Sequence, residues 1–321
     1  MKAVRISSFG GPEVLKLEEV PTPEPAADQV RVRAQAMGVN FVDVRMRAGA
    51  RPLPLPSGIG LDAVGVIDAV GSAVKDFRPG ERVAYYLGPP GAYAELHCVA
   101  VGHLVRVPET IPADIATALL TKGITAQYLL HRAYKLARGE KILVHGAAGG
   151  VGQLLTQWAK ALGATVIGGV GSHDKVDVAI KNGCDHVVNT RESGWAEKVQ
   201  QLTGGVDVVY DPNGKDTFDG SIAALRIRGT LICFGANSGP LPPIELQALG
   251  ARGSYCLMYT SGYHFSRNEE EIREGFSNVL AAYQAGHIKP SIHQVMPLAE
   301  AARAHAALES RKTTGGLVLI P

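Results

Sequence analysis

The sequence predicts an α/β protein with two domains, one β-rich and one built on a doubly wound parallel sheet. Three observations support this prediction. The chain has 321 residues, which is enough for two hydrophobic cores. Roughly its first 110 residues are rich in Pro, Gly and Val, with short apolar runs between turn residues. From about Lys122 onward, apolar strands alternate with amphipathic helices, which is typical of a parallel sheet with helices on both faces.

In the N-terminal part, four short apolar runs bounded by turn residues are predicted to be strands. These runs are Gln29–Ala36, Ala63–Val70, Arg82–Tyr86 and Leu104–Val107. Composition predicts loops at Pro21–Pro25, Pro52–Ser57 and Gly88–Gly91. A helix is expected over Asp114–Leu120, because Pro112 stands just before it.

In the middle part, two helices are expected among several strands. One is Gln153–Leu162, whose apolar residues form one stripe, and the other is Lys175–Asn182. Gly163 and Gly183 follow them, as glycines commonly follow helix ends. The predicted strands are Lys141–His145, Thr165–Val170, His186–Asn189, Val206–Tyr210 and Thr230–Phe234.

After about Tyr259 the pattern changes again. Helices are predicted at Glu269–Gly286 and Leu298–Ser310, followed by a last strand at Leu317–Ile320. This tail is too short for a domain of its own, so we expect it to pack on the N-terminal part. The predicted domains are therefore residues 1–122 with 263–321, and residues 123–262 between them.

Composition and charge argue against several classes of protein. The net charge is +2, and no basic run is interleaved with aromatic residues, so nucleic acid is not an expected partner. No apolar stretch is long enough for a membrane helix, and Met1–Gly10 lacks the apolar region of a signal peptide. The cysteines are scattered, so a disulfide framework is not expected, and a cytoplasmic location is. They are Cys98, Cys184, Cys233 and Cys256.

A glycine-rich turn between a strand and a helix is the strongest local signal. The segment Lys141–Gly152 runs from an apolar strand into Ala147-Ala-Gly-Gly-Val-Gly152. Glycines allow a tight turn and a close backbone approach to a pyrophosphate, and the helix start offers free N–H groups. Ala147 replaces the first glycine of the G-x-G-x-x-G pattern. The segment predicts a dinucleotide site, with an ordinary βα turn as the alternative.

The end of the second strand predicts which dinucleotide is bound. NAD-binding chains usually carry Asp or Glu there for the ribose hydroxyls. This chain has Gly171-Ser172, with Lys175 close behind. A missing carboxylate removes repulsion against a 2′-phosphate, and Lys175 offers a charge-assisted contact. NADPH is therefore the expected cofactor, unless Lys175 is only a solvated helix residue.

Several motifs together resemble one known family. In chain order they are Phe9-Gly-Gly-Pro-Glu-Val-Leu15, Gly38-Val-Asn-Phe-Val-Asp43, Pro56-Ser-Gly-Ile-Gly60, Lys122-Gly-Ile-Thr-Ala126, Ala147-Ala-Gly-Gly-Val-Gly152, Asp211-Pro-Asn-Gly214, Cys233-Phe-Gly235 and Leu308-Glu-Ser-Arg311. Over nearly the whole chain, this set resembles the quinone oxidoreductase and zeta-crystallin branch of the medium-chain dehydrogenase/reductase superfamily. The resemblance implies a GroES-like catalytic domain at 1–122 and 263–321, and a Rossmann domain for NADPH at 123–262.

The chain departs from the zinc alcohol dehydrogenases of that superfamily. Those enzymes carry a Cys near the position of Gly38 and a Gly-His-Glu near Leu61, whereas this chain has Gly38-Val-Asn40 and Gly60-Leu-Asp-Ala63. Their four-cysteine lobe is also missing, since only Cys98 lies around positions 85–100. A catalytic zinc needs about three protein ligands. We therefore expect no metal site.

The resemblance also implies roles for single residues. On the substrate side it places Asn40, Phe41 and Asp43, and near the nicotinamide ribose or amide it places Lys122 and Thr125. The cofactor-binding residues that it implies are Asn40, Thr125, Tyr128, Gly149, Gly150, Val151, Gly171, Ser172, Lys175, Thr190, Arg191, Asn213, Phe234, Gly235, Ala236, Asn237, Leu257, Met258, Tyr259 and Arg311.

Three positions depart from the pattern of the relatives. Thr190 stands where relatives often have a Tyr beside the adenosine, and Arg191 can replace that contact with charge. Arg45 and Arg51 stand where bacterial relatives often have Tyr beside the substrate. We expect either a more open or more basic substrate pocket, or two arginines that face solvent.

The expected mechanism is hydride transfer to a small conjugated carbonyl compound, a chemistry that the nicotinamide itself supplies. Asn40 or a backbone N–H is expected to bind the carbonyl oxygen as charge develops, Lys122 to add positive charge, and Asp43 to orient Asn40 or a water. No general acid is identified, and one-electron transfer stays open. Quinones are the expected acceptors. The alternatives are α,β-unsaturated ketones or aldehydes, or a zeta-crystallin-like NADPH- and RNA-binding role. The resemblance also implies a homodimer that pairs through edge strands of the nucleotide domains, and Thr230–Phe234 is the candidate region.

Overall fold

The computed structural model describes all residues from Met1 to Pro321, and the chain folds into two compact units. Unit 1 comprises Met1–Ile124, Ser266–Asn278 and Pro290–Pro321. Unit 2 comprises Thr125–Phe265 and Val279–Lys289. The assignment of functions to residues 1–122 with 263–321 and to residues 123–262 stays a prediction. No helix combines the length and the apolar character needed to cross a bilayer.

The first third of the chain is mostly antiparallel sheet, as its short apolar runs predict. Its helices are α1 (Phe41–Arg47), α2 (Ala113–Leu119) and α3 (Thr121–Tyr128). Its strands are β1 (Lys2–Ile6), β2 (Lys16–Glu19), β3 (Gln29–Val39), β4 (Ser57–Gly58), β5 (Ala63–Val70), β6 (Arg82–Tyr85), β7 (Leu96–Ala100) and β8 (Leu104–Arg106). Strands β2, β1 and β4 form a small separate sheet.

The middle third alternates strands and helices, which confirms the predicted parallel sheet. The strands are β9 (Lys141–His145), β10 (Thr165–Val170), β11 (His186–Asn189), β12 (Val206–Asp211), β13 (Leu225–Cys233) and β14 (Cys256–Tyr259). The helices are α4 (Gly150–Ala161), α5 (Val176–Lys181), α6 (Trp195–Thr203), α7 (Phe218–Ala223) and α8 (Leu246–Gly253). All six strands are parallel, in the order β11-β10-β9-β12-β13-β14. This is the doubly wound Rossmann arrangement.

The C-terminal part completes the large sheet of unit 1. Its elements are α9 (Glu269–Gln284), β15 (Ile292–Pro297), α10 (Ala301–Glu309) and β16 (Gly316–Ile320). Strand β16 pairs with β3 and gives the order β15-β16-β3-β5-β6-β8, while β7 also pairs with β3. Strands β15 and β16 therefore join the N-terminal sheet, whereas Val279–Lys289 belongs to unit 2. This pairing also explains why β3 extends to Val39, beyond its predicted end at Ala36.

The predicted edge strand is wrong. Thr230–Phe234 falls largely in β13, which pairs with β12 on one side and β14 on the other. The outer strand on that side is β14, whose four residues Cys256–Tyr259 are mostly exposed. Sequence patterning missed β14 because a short run with little burial lacks the apolar signal of the inner strands.

Candidate functional site

A buried polar cluster in unit 1 surrounds Asn40, the residue just before α1. Its side-chain Nδ2 donates to Asp62 Oδ1 at 2.9 Å, and its Oδ1 accepts from Lys122 Nζ at 3.0 Å. Its backbone N–H donates to Asp43 Oδ2 at 2.8 Å. An ammonium only donates and an ionised carboxylate only accepts, so the amide has one consistent orientation. The structure thus brings together the three predicted catalytic residues, Asn40, Asp43 and Lys122.

Asp62 joins this cluster because the residue opposite it has no side chain. A Cβ at Gly38 would lie 2.6 Å from Asp62 Oδ1 and 2.8 Å from Oδ2. The second carboxylate oxygen accepts from the Thr121 hydroxyl at 2.5 Å. The glycine of the Gly38-Val-Asn40 motif therefore makes room for a buried carboxylate that Asn40 and Thr121 hold.

Burial shifts the titration of the charged members of the cluster. Burial, with a smaller contribution from the nearby Asp62, raises the pKa of Asp43 to about 8, although the hydrogen bonds from Asn40 and Tyr93 oppose the shift. Burial also lowers the pKa of Lys122, while the two carboxylates counteract that effect. Asp43 Oδ1 is buried and has no hydrogen-bond partner. Two carboxyls facing one ammonium therefore favour a proton held on Asp43.

The predicted substrate-side residues lie on and after α1. Phe41 is half-buried at the first position of the helix, and Arg45 is exposed on it. Arg51 is half-buried, and its backbone N–H donates to the Arg45 carbonyl at 3.1 Å. Their roles toward a substrate stay predictions. The exposure of Arg45 agrees with the solvent-facing alternative.

In unit 2, most of the predicted cofactor-binding residues lie at one edge of the parallel sheet. They follow the carboxyl ends of strands, where ligands of doubly wound sheets usually bind. By strand, they are Gly149–Val151 after β9, Gly171–Lys175 after β10, Thr190–Arg191 after β11, Asn213 after β12, and Phe234–Asn237 after β13. Leu257–Tyr259 form the last three residues of β14 itself.

The glycine-rich turn leads directly into α4. Gly149 is the N-cap, so the N–H groups of Gly150, Val151 and Gly152 begin the helix without partners inside it. A Cβ at Gly152 would lie only 2.1 Å from the Gly146 carbonyl oxygen, which is a backbone atom that cannot easily move. The turn is therefore closed by contacts that only glycine permits. It leaves a row of N–H donors and the positive end of the helix dipole for an anion.

A cationic corner lies beside this turn, at the ends of β10 and β11. A Cβ at Gly171 would lie 3.8 Å from Arg191 Nε. Burial lowers the pKa of Lys175, and Arg191 adds to this shift, so the two cations are close enough to repel each other. Exposed Asp174 accepts a hydrogen bond from the Ser172 side chain, which keeps one carboxylate in the same corner. The corner suits a dianionic phosphate, which would relieve the repulsion.

Asp211, which begins the Asp211-Pro-Asn-Gly214 motif but had no predicted role, organises the loop after β12. Its Oδ1 accepts from the backbone N–H groups of Asn213 and Gly214 at 2.7 and 3.2 Å. Its Oδ2 accepts from the hydroxyls of Thr217 and Ser221 at 2.7 and 2.9 Å. Because this carboxylate fixes four donors at once, the predicted contact residue Asn213 sits on a rigid turn.

The remaining predicted residues differ in setting. Tyr128 is buried, stacks on Phe265 with ring centroids 4.6 Å apart, and bonds through its hydroxyl to Thr125 and Thr260. Arg311 is exposed, follows α10 and belongs to unit 1, whereas the other phosphate candidates belong to unit 2. The contacts of these residues with a cofactor stay predictions.

Sequence analysis missed four side chains that complete the cluster in unit 1: Asp62, Tyr93, Arg47 and His305. Arg47 follows Asp43 by four positions, so the helical period places both on one face of α1. Because it shares a helix face with a predicted functional carboxylate, Arg47 could have been identified from the sequence. Tyr93 and His305 carry no such signal, because they come from distant segments.

The residues described include no group of three or more His, Cys, Asp or Glu side chains placed to hold a metal ion. All four cysteines are free. The zinc-free character of the protein stays a prediction.

Comparisons with known proteins agree with this arrangement. The family model "Alcohol dehydrogenase GroES-like domain" matches residues 26–109, and the model "Zinc-binding dehydrogenase" matches residues 150–279. The quinone oxidoreductase of Pseudomonas aeruginosa is 42% identical over 323 residues, covering 100% of this chain and 99% of the relative. The 2-haloacrylate reductase of a Burkholderia species is 42% identical over 268 residues, covering 82% of this chain and 80% of the relative.

A solved structure matches the whole fold. The crystal structure of Escherichia coli quinone oxidoreductase complexed with NADPH superposes with a TM-score of 0.97 and 38% identity, covering 100% of both chains.

We predict that Asp43→Asn changes how stability depends on pH. The folded chain holds a proton on Asp43 up to about pH 8, whereas the unfolded chain releases it near the ordinary value of 3.8. The contribution of Asp43 to the free energy of unfolding therefore falls as pH rises from about 4 to about 8, and is constant above. One proton limits the slope to about 1.4 kcal/mol per pH unit.

Urea unfolding at several pH values measures this difference. In wild type, the free energy of unfolding should fall between about pH 4 and pH 8, and the Asp43→Asn variant should lack this decrease. An Asp76→Asn control at an exposed position should behave like wild type. Parallel stability curves for wild type and Asp43→Asn would contradict the assignment.

Proposed function

This chain belongs to the quinone oxidoreductase family of medium-chain dehydrogenases/reductases, and on that premise we propose that it reduces quinones with NADPH as the electron donor. The full-length similarity to quinone oxidoreductases supports this proposal, together with the match to an NADPH-bound relative. The observation that carries it is the cationic corner at Gly171, Lys175 and Arg191, which suits the 2′-phosphate that distinguishes NADPH from NADH.

The residues of unit 2 fit NADPH in a consistent way. The N–H groups at Gly150 and Val151 bind the pyrophosphate, and the cationic corner binds the 2′-phosphate. The loop that Asp211 organises and the segment Phe234–Asn237 hold the nicotinamide half in place. When bound, the nicotinamide supplies the hydride. The protein has to position the cofactor and the acceptor and to stabilise the charge that develops on the acceptor.

The residues of unit 1 supply that stabilisation. Asn40 Nδ2 has two N–H groups, and only one is donated within the protein, to Asp62. We assign the second to the carbonyl oxygen of the acceptor. The Lys122 ammonium donates to the same amide at 3.0 Å and so increases its polarity as negative charge develops. These roles require no metal ion, and we propose that the enzyme is zinc-independent.

One relative favours a second class of acceptor. A 2-haloacrylate reductase is as similar, at 42% identity, as the quinone oxidoreductase of Pseudomonas aeruginosa. A haloacrylate carries a C=C bond conjugated with a carboxyl group, so the same architecture is compatible with reduction of an activated alkene. Reduction of α,β-unsaturated ketones or aldehydes is therefore the second candidate function.

We also propose a homodimer that pairs through β14. This strand is the outer strand of the parallel sheet, and Met258 and Tyr259 on it are 36% and 51% exposed. Leu246 on the preceding helix α8 is 81% exposed. An unpaired outer strand with apolar neighbours favours pairing with a second copy. The four free cysteines support a reducing, cytoplasmic location for this enzyme.

The proposed activity is tested by stopped-flow oxidation of NADPH against a panel of quinones and enones. Efficient turnover of a benzoquinone is expected, because a quinone is a strong electrophile that needs little acid catalysis. Faster turnover of an enone than of any quinone would favour the second candidate. No oxidation of NADPH by either class would overturn both.

We predict that Lys175→Ala weakens NADPH binding by about 10- to 100-fold, as expected for the loss of a charge-assisted contact. NADH affinity should stay unchanged, because NADH lacks the 2′-phosphate. Fluorescence titration with both dinucleotides measures the difference, and Lys181→Ala on the exposed side of α5 is the matched control. An equal loss for NADH and NADPH would remove Lys175 from the phosphate site.

The dimer is tested with Met258→Lys, since a lysine on an outer strand opposes pairing. Sedimentation is expected to change from the mass of a dimer to that of a monomer. Leu202→Lys replaces a leucine of similar exposure on α6 and should leave the mass unchanged. A monomeric wild type, or a dimeric Met258→Lys variant, would contradict pairing through β14.

A further inference from the structure

A chain of buried side chains runs from Asp43 to the surface of unit 1. The Tyr93 hydroxyl lies 3.0 Å from Asp43 Oδ2 and 3.1 Å from His305 Nε2. Arg47 NH1 lies 3.5 Å from His305 Nδ1. Arg47 is itself 2% exposed and makes two hydrogen bonds to Glu309, at 2.9 and 2.8 Å. The proposed reaction uses Asp43 and leaves these other four residues without a role.

The hydrogen bonds between these side chains have only one possible order of donors and acceptors. A guanidinium has donors only, so His305 Nδ1 must accept from Arg47. The proton of the neutral imidazole is then on Nε2 and is donated to the Tyr93 oxygen. Tyr93 has one proton, which goes to Asp43 Oδ2. The geometry thus fixes the tautomer of His305 and the rotation of the Tyr93 hydroxyl.

Charge and packing keep this direction fixed. Burial lowers the pKa of His305 to about 3, and the adjacent Arg47 charge adds to the effect, so the imidazole stays neutral. Arg47 is held from a third side by its Nε, which donates to the Gly10 carbonyl at 3.1 Å. The Tyr93 and His305 rings meet edge to face, at 5.7 Å between centroids and an angle of 89°. None of these side chains can turn without leaving a buried polar group unpaired.

We propose that Arg47, His305 and Tyr93 are positioning residues that fix the carboxyl group of Asp43, and through it the backbone of Asn40. Oδ2 of Asp43 accepts from both the Tyr93 hydroxyl and the Asn40 N–H. This leaves Oδ1, which has no partner, as the position for the carboxyl proton. The inference rests on the proposed function for its catalytic consequence, but its structural part does not depend on it.

The catalytic consequence follows from the charge of the cluster. Burial also raises the pKa of Asp62, but the charge of Lys122 is the strongest effect opposing that shift, so with Asp43 protonated the Lys122 ammonium and the Asp62 carboxylate form a balanced pair. Ionisation of Asp43 adds a negative charge near the oxygen on which the reaction develops negative charge, and so opposes the reaction. Activity should therefore fall as pH rises through the pKa of Asp43, which is about 8. The charged and titratable groups that face Asp43, directly or through this chain, are Asp62, Lys122, Tyr93, His305, Arg47 and Glu309.

The variant Tyr93→Phe tests the role of the hydrogen-bonded side chains between Asp43 and Glu309. The variant keeps the buried ring and removes only the hydroxyl that stabilises the ionised form of Asp43, so the pKa of Asp43 should rise by about one unit. Infrared difference spectroscopy against pH follows the C=O band of the protonated carboxyl, and its absence in Asp43→Asn assigns the band. Tyr134→Phe is the matched control, because it removes a tyrosine hydroxyl bonded to a different carboxylate, that of Glu140 in unit 2.

The expected result is a midpoint about one pH unit higher in Tyr93→Phe than in wild type, with no shift in Tyr134→Phe. The alkaline limb of kcat/KM with a quinone should move by the same amount. An unchanged infrared midpoint in a Tyr93→Phe variant that folds, as judged by thermal melting, overturns the inference. A shifted midpoint in a protein that reduces no quinone supports the positioning chain and overturns the proposed function, so the two failures are distinct.

Discussion

The contact between the Lys122 ammonium and the Asn40 side-chain oxygen is the interaction on which the polar part of unit 1 depends. Burying an ammonium costs several kcal/mol unless an opposite charge lies nearby. Asp62 supplies that charge and fits only because Gly38 has no Cβ. A second carboxyl, Asp43, then exceeds what one ammonium can balance. Burial is the main cause of its raised pKa, and the nearby charge of Asp62 adds to the effect.

In unit 2, the predicted cofactor site is formed mainly by the backbone of loops. Six parallel strands end at one edge, and the loops that follow them carry most of the predicted cofactor contacts. The turn at Gly146–Gly152 is so tight that a single added methyl group would collide with a carbonyl oxygen. Asp211 stiffens the neighbouring turn through four hydrogen bonds. Rigid loops of this kind lose little conformational entropy when a dinucleotide binds.

Two arginines that the sequence suggested as site residues, Arg191 and Arg45, differ in their surroundings. Arg191 lies beside Gly171, so its positive charge belongs to the cationic corner, as the sequence predicted. Arg45, in contrast, is exposed on α1, and its sequence position alone did not decide between a pocket and solvent. The sequence shows that both positions carry arginine. What surrounds each arginine depends on segments that are distant in the sequence.

Local patterning was sufficient to predict most of the fold. The strands at Ala63–Val70, Lys141–His145, Thr165–Val170 and His186–Asn189 have their predicted bounds, because alternation and apolar runs reflect burial directly. The pattern failed at β14, where the outer strand buries too little to leave a signal. It also ended β3 too early, because the last residues of that strand pair with β16 from the opposite end of the chain.

The sequence by itself determined most of the order of elements, the glycine turn and the lack of a carboxylate directly at the end of β10, because these depend on residue type and spacing within short segments. The family resemblance pointed to Asn40, Asp43 and Lys122 as the polar centre. Only the tertiary structure decided that Asp62, Tyr93, Arg47 and His305 complete that centre. They come from segments up to 258 residues apart, as between Arg47 and His305. Hydrogen-bond direction and burial are properties of groups in contact, and no local pattern encodes them.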